Sequence, residues 1–182
     1  MKKILITFSF LLAFISINQT AQAQWSVGAS YEIRDQDPEN GFGLRVERSF
    51  LQGAPLIDLG IRAHFSFFNE DNNVSRDDFT FSREIDVYDY GLAVLGGVKL
   101  GIVKPYVGLG IGNQQYKFKA NIAEVDDFDE SSFYWNGFGG AEVTIFPFLQ
   151  PFIEYRIANL TGTEDIEFDN VSRLAIGINL KF

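Results

Sequence analysis

The sequence predicts an all-β fold, an eight-stranded antiparallel up-and-down transmembrane β-barrel. Three observations carry that prediction. Apolar and polar side chains alternate with period two in eight separate segments, the mark of strands with two different faces. The connections between these segments alternate between short turns and polar, acidic stretches. One of the two strand faces is almost free of charge.

The first 23 residues read differently from the rest. Met1-Lys2-Lys3 is a positive n-region, Ile4 to Ile17 is uncharged and apolar, and Ala21-Gln22-Ala23 is a small-residue cleavage site. That order is a secretory signal peptide, with cleavage expected before Gln24. As a helix, the apolar run would reach only about 21 Å, short of the roughly 30 Å hydrocarbon core. Residues 24–182 are then one domain carrying 13 basic and 24 acidic residues, a net charge of −11. Such a balance excludes a basic nucleic-acid footprint. The chain has no cysteine, which excludes disulfides and thiolate metal sites.

The eight segments follow in order. Trp25, Val27, Ala29, Tyr31 and Ile33 oppose Ser26, Gly28, Ser30, Glu32 and Arg34. Phe42, Leu44 and Val46 oppose Gly43, Arg45 and Glu47; Ile57, Leu59, Ile61, Ala63, Phe65 and Phe67 oppose Asp58, Gly60, Arg62, His64 and Ser66. The fourth sets Tyr88, Tyr90, Leu92, Val94 and Val98 against Asp89, Gly91, Ala93, Leu95 and Lys99. The fifth, after Pro105, sets Val107, Leu109 and Ile111 against Gly108, Gly110 and Gly112. Tyr116 and Phe118 then fall on the wrong parity, so a bulge is expected near Asn113–Gln115. The sixth runs from about Phe133 to Ile145 with Glu142 on its polar face. Glu154 and Arg156 mark that face in the seventh, Arg173, Asn179 and Lys181 in the eighth.

Short turns are expected near Leu51–Pro55, Gly101–Lys104 and Pro147–Pro151, and outer loops near Asp35–Asn40, Asn69–Asp86, Lys119–Ser132 and Leu160–Asn170. Strand extensions are expected in the last three loops, as Phe79 and Phe81 suggest for the first of them. Long outer loops alternating with short periplasmic turns is the pattern of outer-membrane barrels.

Charge decides which face meets lipid. Of the 24 acids, 18 sit in the four loops; the other six, Glu32, Glu47, Asp58, Asp89, Glu142 and Glu154, occupy polar strand faces. Arg34, Arg45, Arg62, Lys99, Arg156, Arg173 and Lys181 share those faces, while only Arg48 and Lys117 intrude on the apolar one. A basic side chain facing lipid at mid-bilayer costs roughly 2–4 kcal/mol and little at the interface. A water-exposed exterior, as on a soluble ligand-binding barrel, has no reason to exclude charge. The apolar face is therefore expected outside, and the polar one inside as an ion-paired plug in which Glu142 and Glu154 neutralise arginines such as Arg156 and Arg173, the exact pairs being set by register. Phe42 and Phe50, about 19 Å apart along the normal for a 45° tilt, would mark two aromatic girdles.

The ending Leu174-Ala175-Ile176-Gly177-Ile178-Asn179-Leu180-Lys181-Phe182 resembles the C-terminal signal by which barrel-assembly machinery recognises outer-membrane proteins, with Phe182 as its terminal residue. Pro105-Tyr106-Val107-Gly108-Leu109-Gly110-Ile111-Gly112 is similar to the glycine-alternating strands of small OmpA/OmpX-type barrels. The resemblance covers residues 24–182 in strand count and pattern. It implies the fold, an outer-membrane location and the assembly machinery as a partner during insertion. It does not imply one activity, because the superfamily includes anchors, adhesins, resistance factors and a few lipid enzymes.

Motifs for chemistry are few. Gly108, Gly110 and Gly112 lack the spacing and following helix of a nucleotide loop, and are expected to make room for large side chains opposite. Asp35-Gln36-Asp37-Pro38-Glu39 departs from a calcium loop at Asn40 and Val46, and Asp126-Asp127-Phe128-Asp129-Glu130 reads as a solvated acidic loop. His64 and Ser66 resemble the His-x-Ser pair of outer-membrane lipid A deacylases, in which histidine is the base for a serine nucleophile. Their parity turns them to the lumen, where a hydrogen-bonding role is expected. The sequence thus points to a non-enzymatic, monomeric barrel surrounded by outer-membrane lipids. It needs no cofactor or metal, and its acidic loops meet a surface ligand in adhesion or envelope integrity. The alternatives are a lipid A-modifying enzyme using His64 and Ser66, and a narrow channel.

Overall fold

The computed structural model describes residues 25–50, 56–76, 79–120, 128–160 and 170–182. The leader, the turn at 51–55 and the acids at 126 and 127 lie outside them. Eight strands run β1 (Trp25–Arg34), β2 (Asn40–Ser49), β3 (Ile57–Arg76), β4 (Phe79–Val98), β5 (Val103–Ala120), β6 (Phe128–Val143), β7 (Leu149–Leu160) and β8 (Val171–Lys181). Each pairs antiparallel with its sequence neighbour, and β1 pairs with β8 to close the barrel. At the seam the Trp25 and Phe182 main chains exchange hydrogen bonds of 3.3 and 3.0 Å. Closure leaves no open edge around the barrel wall, which a backbone in hydrocarbon requires.

The barrel is inside out relative to a soluble protein. Phe42, Leu92 and Val107 are 68, 63 and 67 % exposed, whereas Arg62 and Asp89 are each 1 % exposed. The period of two aims alternate residues at two media, and lipid takes the place of a core. Exposed Trp25, Phe50, Phe146 and Phe148 gather at the short-turn end. Tyr31 packs on Phe42 toward the other end, at 5.6 Å between ring centres, and Phe67 on Tyr88 at 5.1 Å. The two cations of the lipid face stand at these aromatic levels: Arg48 lies over Trp25 and Phe50, and Lys117 over Tyr88.

The register corrects the sequence reading in three places. No bulge interrupts β5: its pairing with β4 runs unbroken from Gly97↔Tyr106 to Arg83↔Ala120, and that with β6 from Val103↔Val143 to Phe118↔Phe128. Parity never flips; Tyr116 is simply an aromatic that points inward. Second, Leu100 and Val103 bond to each other across a two-residue turn, with Gly101 at φ 65°, the left-handed region that glycine enters freely. The turn is therefore shorter than 101–104, and Lys104 belongs to β5 and to the interior. Third, Lys99 follows the end of β4 and, like Lys181, is only half-buried and makes no ion pair among the described residues.

Strand length is uneven. Crossing a bilayer takes about 9–11 tilted residues, close to the 10, 10, 12 and 11 of β1, β2, β7 and β8. Strands β3, β4, β5 and β6 have 20, 20, 18 and 16. Among the described residues, pairing of β2 with β3 reaches Gly41↔Phe68 and that of β6 with β7 reaches Tyr134↔Leu160, while β3–β4 pairing continues to Arg76↔Phe79. A four-stranded sheet thus stands up from one side of the barrel. The second expected loop is largely strand, as the phenylalanines at 79 and 81 suggested, and the described ends of the third, 119–120 and 128–132, are strand as well; 161–169 of the fourth lie outside the described residues.

Candidate functional site

Among the described residues, the lumen is where the strands converge polar side chains. In its lower half, toward the short turns, Glu154 of β7 is the hub. Its carboxylate accepts from Arg45 Nη1 at 3.3 Å, from Arg62 Nη1, from Arg156 Nη2 at 2.9 Å and from Tyr106 Oη at 2.9 Å. Arg62 also donates from Nε to Glu47 at 2.8 Å. Below lies a second group, in which Lys104 Nζ is 3.0 Å from Asp58 and 2.7 Å from Glu142, and Asn179 donates to Glu142 at 2.6 Å. Glu142 is 3.6 Å from Arg45 as well. Of the pairs named from the sequence, Glu154 meets Arg156, whereas Glu142 serves Lys104 and Arg45, and Arg173 turns to Asp89 and Glu32; register, which brings Lys104 opposite Glu142, decides this.

In the upper half Arg173 is the hub. It donates to Asp89 at 2.6 Å, Glu32 at 3.1 Å and Ser66 Oγ at 3.2 Å. Asp89 accepts from Tyr134 Oη at 2.7 Å, and His64 Nε2 lies 2.9 Å from that hydroxyl and 3.2 Å from Asp89. His64 and Ser66 share the interior, as their parity implied, but each bonds elsewhere and no hydrogen bond joins them. At the mouth Arg34 donates to Tyr116 Oη at 3.1 Å and has no carboxylate partner among the described residues.

Aromatic rings fill the space between the charges. Phe138 lies under Arg62 and Arg156, Phe152 under Arg45, and Phe68 between Arg34 and Arg173. Each ring owes its room to a glycine directly opposite on the neighbouring strand: Gly41↔Phe68, Gly108↔Phe138, Gly112↔Tyr134, Gly140↔Tyr106 and Gly177↔Phe152. The sequence led to the expectation of large side chains opposite Gly108 and Gly112, but not that they are rings, and it assigned no such role to Gly41, Gly140 or Gly177. The signal was an aromatic on the polar parity of a strand. Guanidinium over a ring face is favourable, so the interior is packed by stacked ions and rings. Such an assembly can brace a barrel.

The comparisons agree with this architecture. A family model described as outer membrane protein beta-barrel domain matches residues 7–182. Among solved structures, Neisserial surface protein A superposes with a TM-score of 0.62 at 14% identity, covering 89% of this chain and 98% of that one. A major outer membrane protein from Thermus thermophilus gives 0.61 at 16%, covering 88% and 99%. Ail, the attachment invasion locus protein of Yersinia pestis, gives 0.58 at 17%, covering 87% and 96%. An outer membrane enzyme, PagL, is also similar, at 12% identity and a TM-score of 0.50, covering 86% of this chain and 99% of that one. At these identities the likeness is one of fold. A search of curated protein sequences finds no match.

Proposed function

Because this chain belongs to the outer membrane protein β-barrel domain family, we propose that it is a non-enzymatic barrel whose task is to hold a stiff β-sheet above the outer face as a surface for interaction. Export by the leader peptide and insertion through the Phe182-terminated last strand belong to the same reading. The observation that carries it is the continuation of β3–β6, among the described residues, beyond the level that the other four strands reach. About six to ten residues more than a crossing needs would raise this sheet roughly 14 Å above the bilayer at β6 and roughly 23 Å at β3 and β4, for a 45° tilt. The distribution of charge fits: most acids of the chain lie in the outer segments, not in the wall. The test is to replace residues 70–85 with a tight turn joining Asn69 to Asp86. The trimmed barrel should fold, shown by unchanged heat-dependent gel mobility, while binding of expressing cells to host-matrix surfaces falls. Binding that survives the trim but is lost on a lumen substitution would overturn the proposal.

A channel and a lipid enzyme are the competing activities, and each has its own test. The filled lumen supports the expectation that purified protein in planar bilayers carries no steady current; a persistent ion-selective conductance would make a channel the function. His64→Ala and Ser66→Ala should leave the mass spectrum of lipid A identical to that from wild-type cells. Loss of an acyl chain that depends on either residue would establish the enzyme.

A further inference from the structure

On the lipid side the wall is not smooth. Outward side chains form rows along the hydrogen-bonding direction, and between two adjacent rows runs an apolar groove of about 690 Å³. One row follows the register Trp25↔Arg48↔Ile61↔Val94↔Leu109, the next is a residue pair higher. The groove's low end is at Trp25 and Arg48, Ala63 is a small residue midway, and its high end is at Trp135. From β1 to β6 it crosses five strand spacings, roughly 24 Å. At a strand tilt of about 45° it climbs roughly 17 Å, more than half of the roughly 25 Å apolar band.

We propose that this groove is a binding site for one anionic glycerophospholipid of the periplasmic leaflet, its phosphate on Arg48 and an acyl chain in the groove. Two independent features point to that occupant. Arg62 and Asn136 also border the groove, but both are buried in the lumen; the one exposed polar side chain of the lining is Arg48, at the short-turn end, the depth of the periplasmic headgroups. Arg48 has no carboxylate partner among the described residues; its guanidinium rests 5.3 Å from the Trp25 ring and 5.7 Å from Phe50, which steadies it and leaves its donors free. A fixed cation beside a chain-shaped apolar furrow matches a phosphate ester with a hydrocarbon tail. Headgroups without an amine are favoured, because an ammonium competes with Arg48 for the same phosphate. The site is separate from the sheet of β3–β6, so its failure would leave that reading untouched.

The only two tryptophans of the chain lie at the groove's two ends, which makes occupancy visible. Wild-type protein and a Trp135→Phe variant, which isolates Trp25, are reconstituted in phosphatidylcholine vesicles. Chain-brominated phosphatidylglycerol or chain-brominated phosphatidylcholine is then titrated in as quencher. Quenching of Trp25 should show a preference of about five-fold for phosphatidylglycerol. The preference should vanish in Arg48→Gln, and Ala63→Phe, which obstructs the groove, should weaken quenching by both lipids; unchanged heat-dependent mobility checks that each variant folds. Equal quenching by the two lipids, or a preference that survives Arg48→Gln, would overturn the proposal. So would quenching that falls as protein density rises together with energy transfer between labelled copies, for then a second barrel fills the groove.

Discussion

Glu154→Ala should be the most damaging single change of charge in the barrel. Its carboxylate is shared by Arg45, Arg62, Arg156 and the Tyr106 hydroxyl, all in the packed interior. Losing one member of a buried ion pair typically costs about 3–5 kcal/mol, because the remaining charge stays desolvated; here three guanidinium groups lose a common partner. Urea unfolding in vesicles, followed by tryptophan emission, should show the midpoint fall by an amount corresponding to that range. Glu39→Ala, at an exposed position, should change it by less than about 0.5 kcal/mol. Pairing Glu154→Leu with Arg62→Leu should cost less than the sum of the two single changes, since each removes a charge that the other left unpaired. A loss below about 1 kcal/mol for Glu154→Ala would mean that water reaches the hub and that the lumen is not packed.

Gly177→Val should be comparably severe for a different reason. A Cβ at Gly177 would collide with the Ala29 carbonyl oxygen on β1 and come within 2.6 Å of the Phe152 ring. The first obstacle is backbone of the seam and cannot swing away; the second is wedged against Arg45. Overpacking a filled interior typically costs about 1–3 kcal/mol, and here it also spreads the β1–β8 closure. The expected result is a barrel that refolds poorly, read as a large unshifted fraction on unheated gels. Removing the ring with Phe152→Leu in the same chain should recover only a minor part of the folded band, because the Ala29 carbonyl oxygen still stands in the way. If Gly177→Val alone folds normally, the ring opposite does not occupy the place described.

How much was legible in the sequence follows from what a strand encodes. Parity is local, so Arg62, Asp89, Glu142, Glu154 and Arg173 could be assigned to one face from their neighbours alone. Pairing is not local. Which cation meets Glu142 depends on the register of β5 against β6, and Lys104 is on β5 to meet it only because the turn from β4 into β5 is two residues long. Reading the turn as ending at Lys104 exchanged that residue for Lys99. The fifth segment erred through a different habit, the assumption that large apolar rings seek the lipid face. Tyr116 instead points inward where its hydroxyl accepts from Arg34, and Phe138 where its ring lies under arginines and fills the void left by Gly108 opposite. An expected bulge was the cost of overlooking that the interior is part aromatic. The partnership of His64 with Asp89 and Tyr134, and of Ser66 with Arg173, joins residues far apart along the chain, up to 107 positions for Ser66 and Arg173, and has no signature in the sequence.

The uneven height of the wall has a consequence on the timescale of evolution. Each residue of the lumen answers to partners on other strands, so a change there demands a matching change elsewhere, as glycine and ring must alter together. The upper reaches of β3–β6 are tied to one another by main-chain bonds, which do not depend on side-chain identity. Substitutions there leave the ladder standing. A lineage under pressure from antibodies, phages or new hosts can therefore rewrite that sheet step by step while the cylinder beneath it drifts slowly, and divergence between related strains should be concentrated on one flank of the molecule.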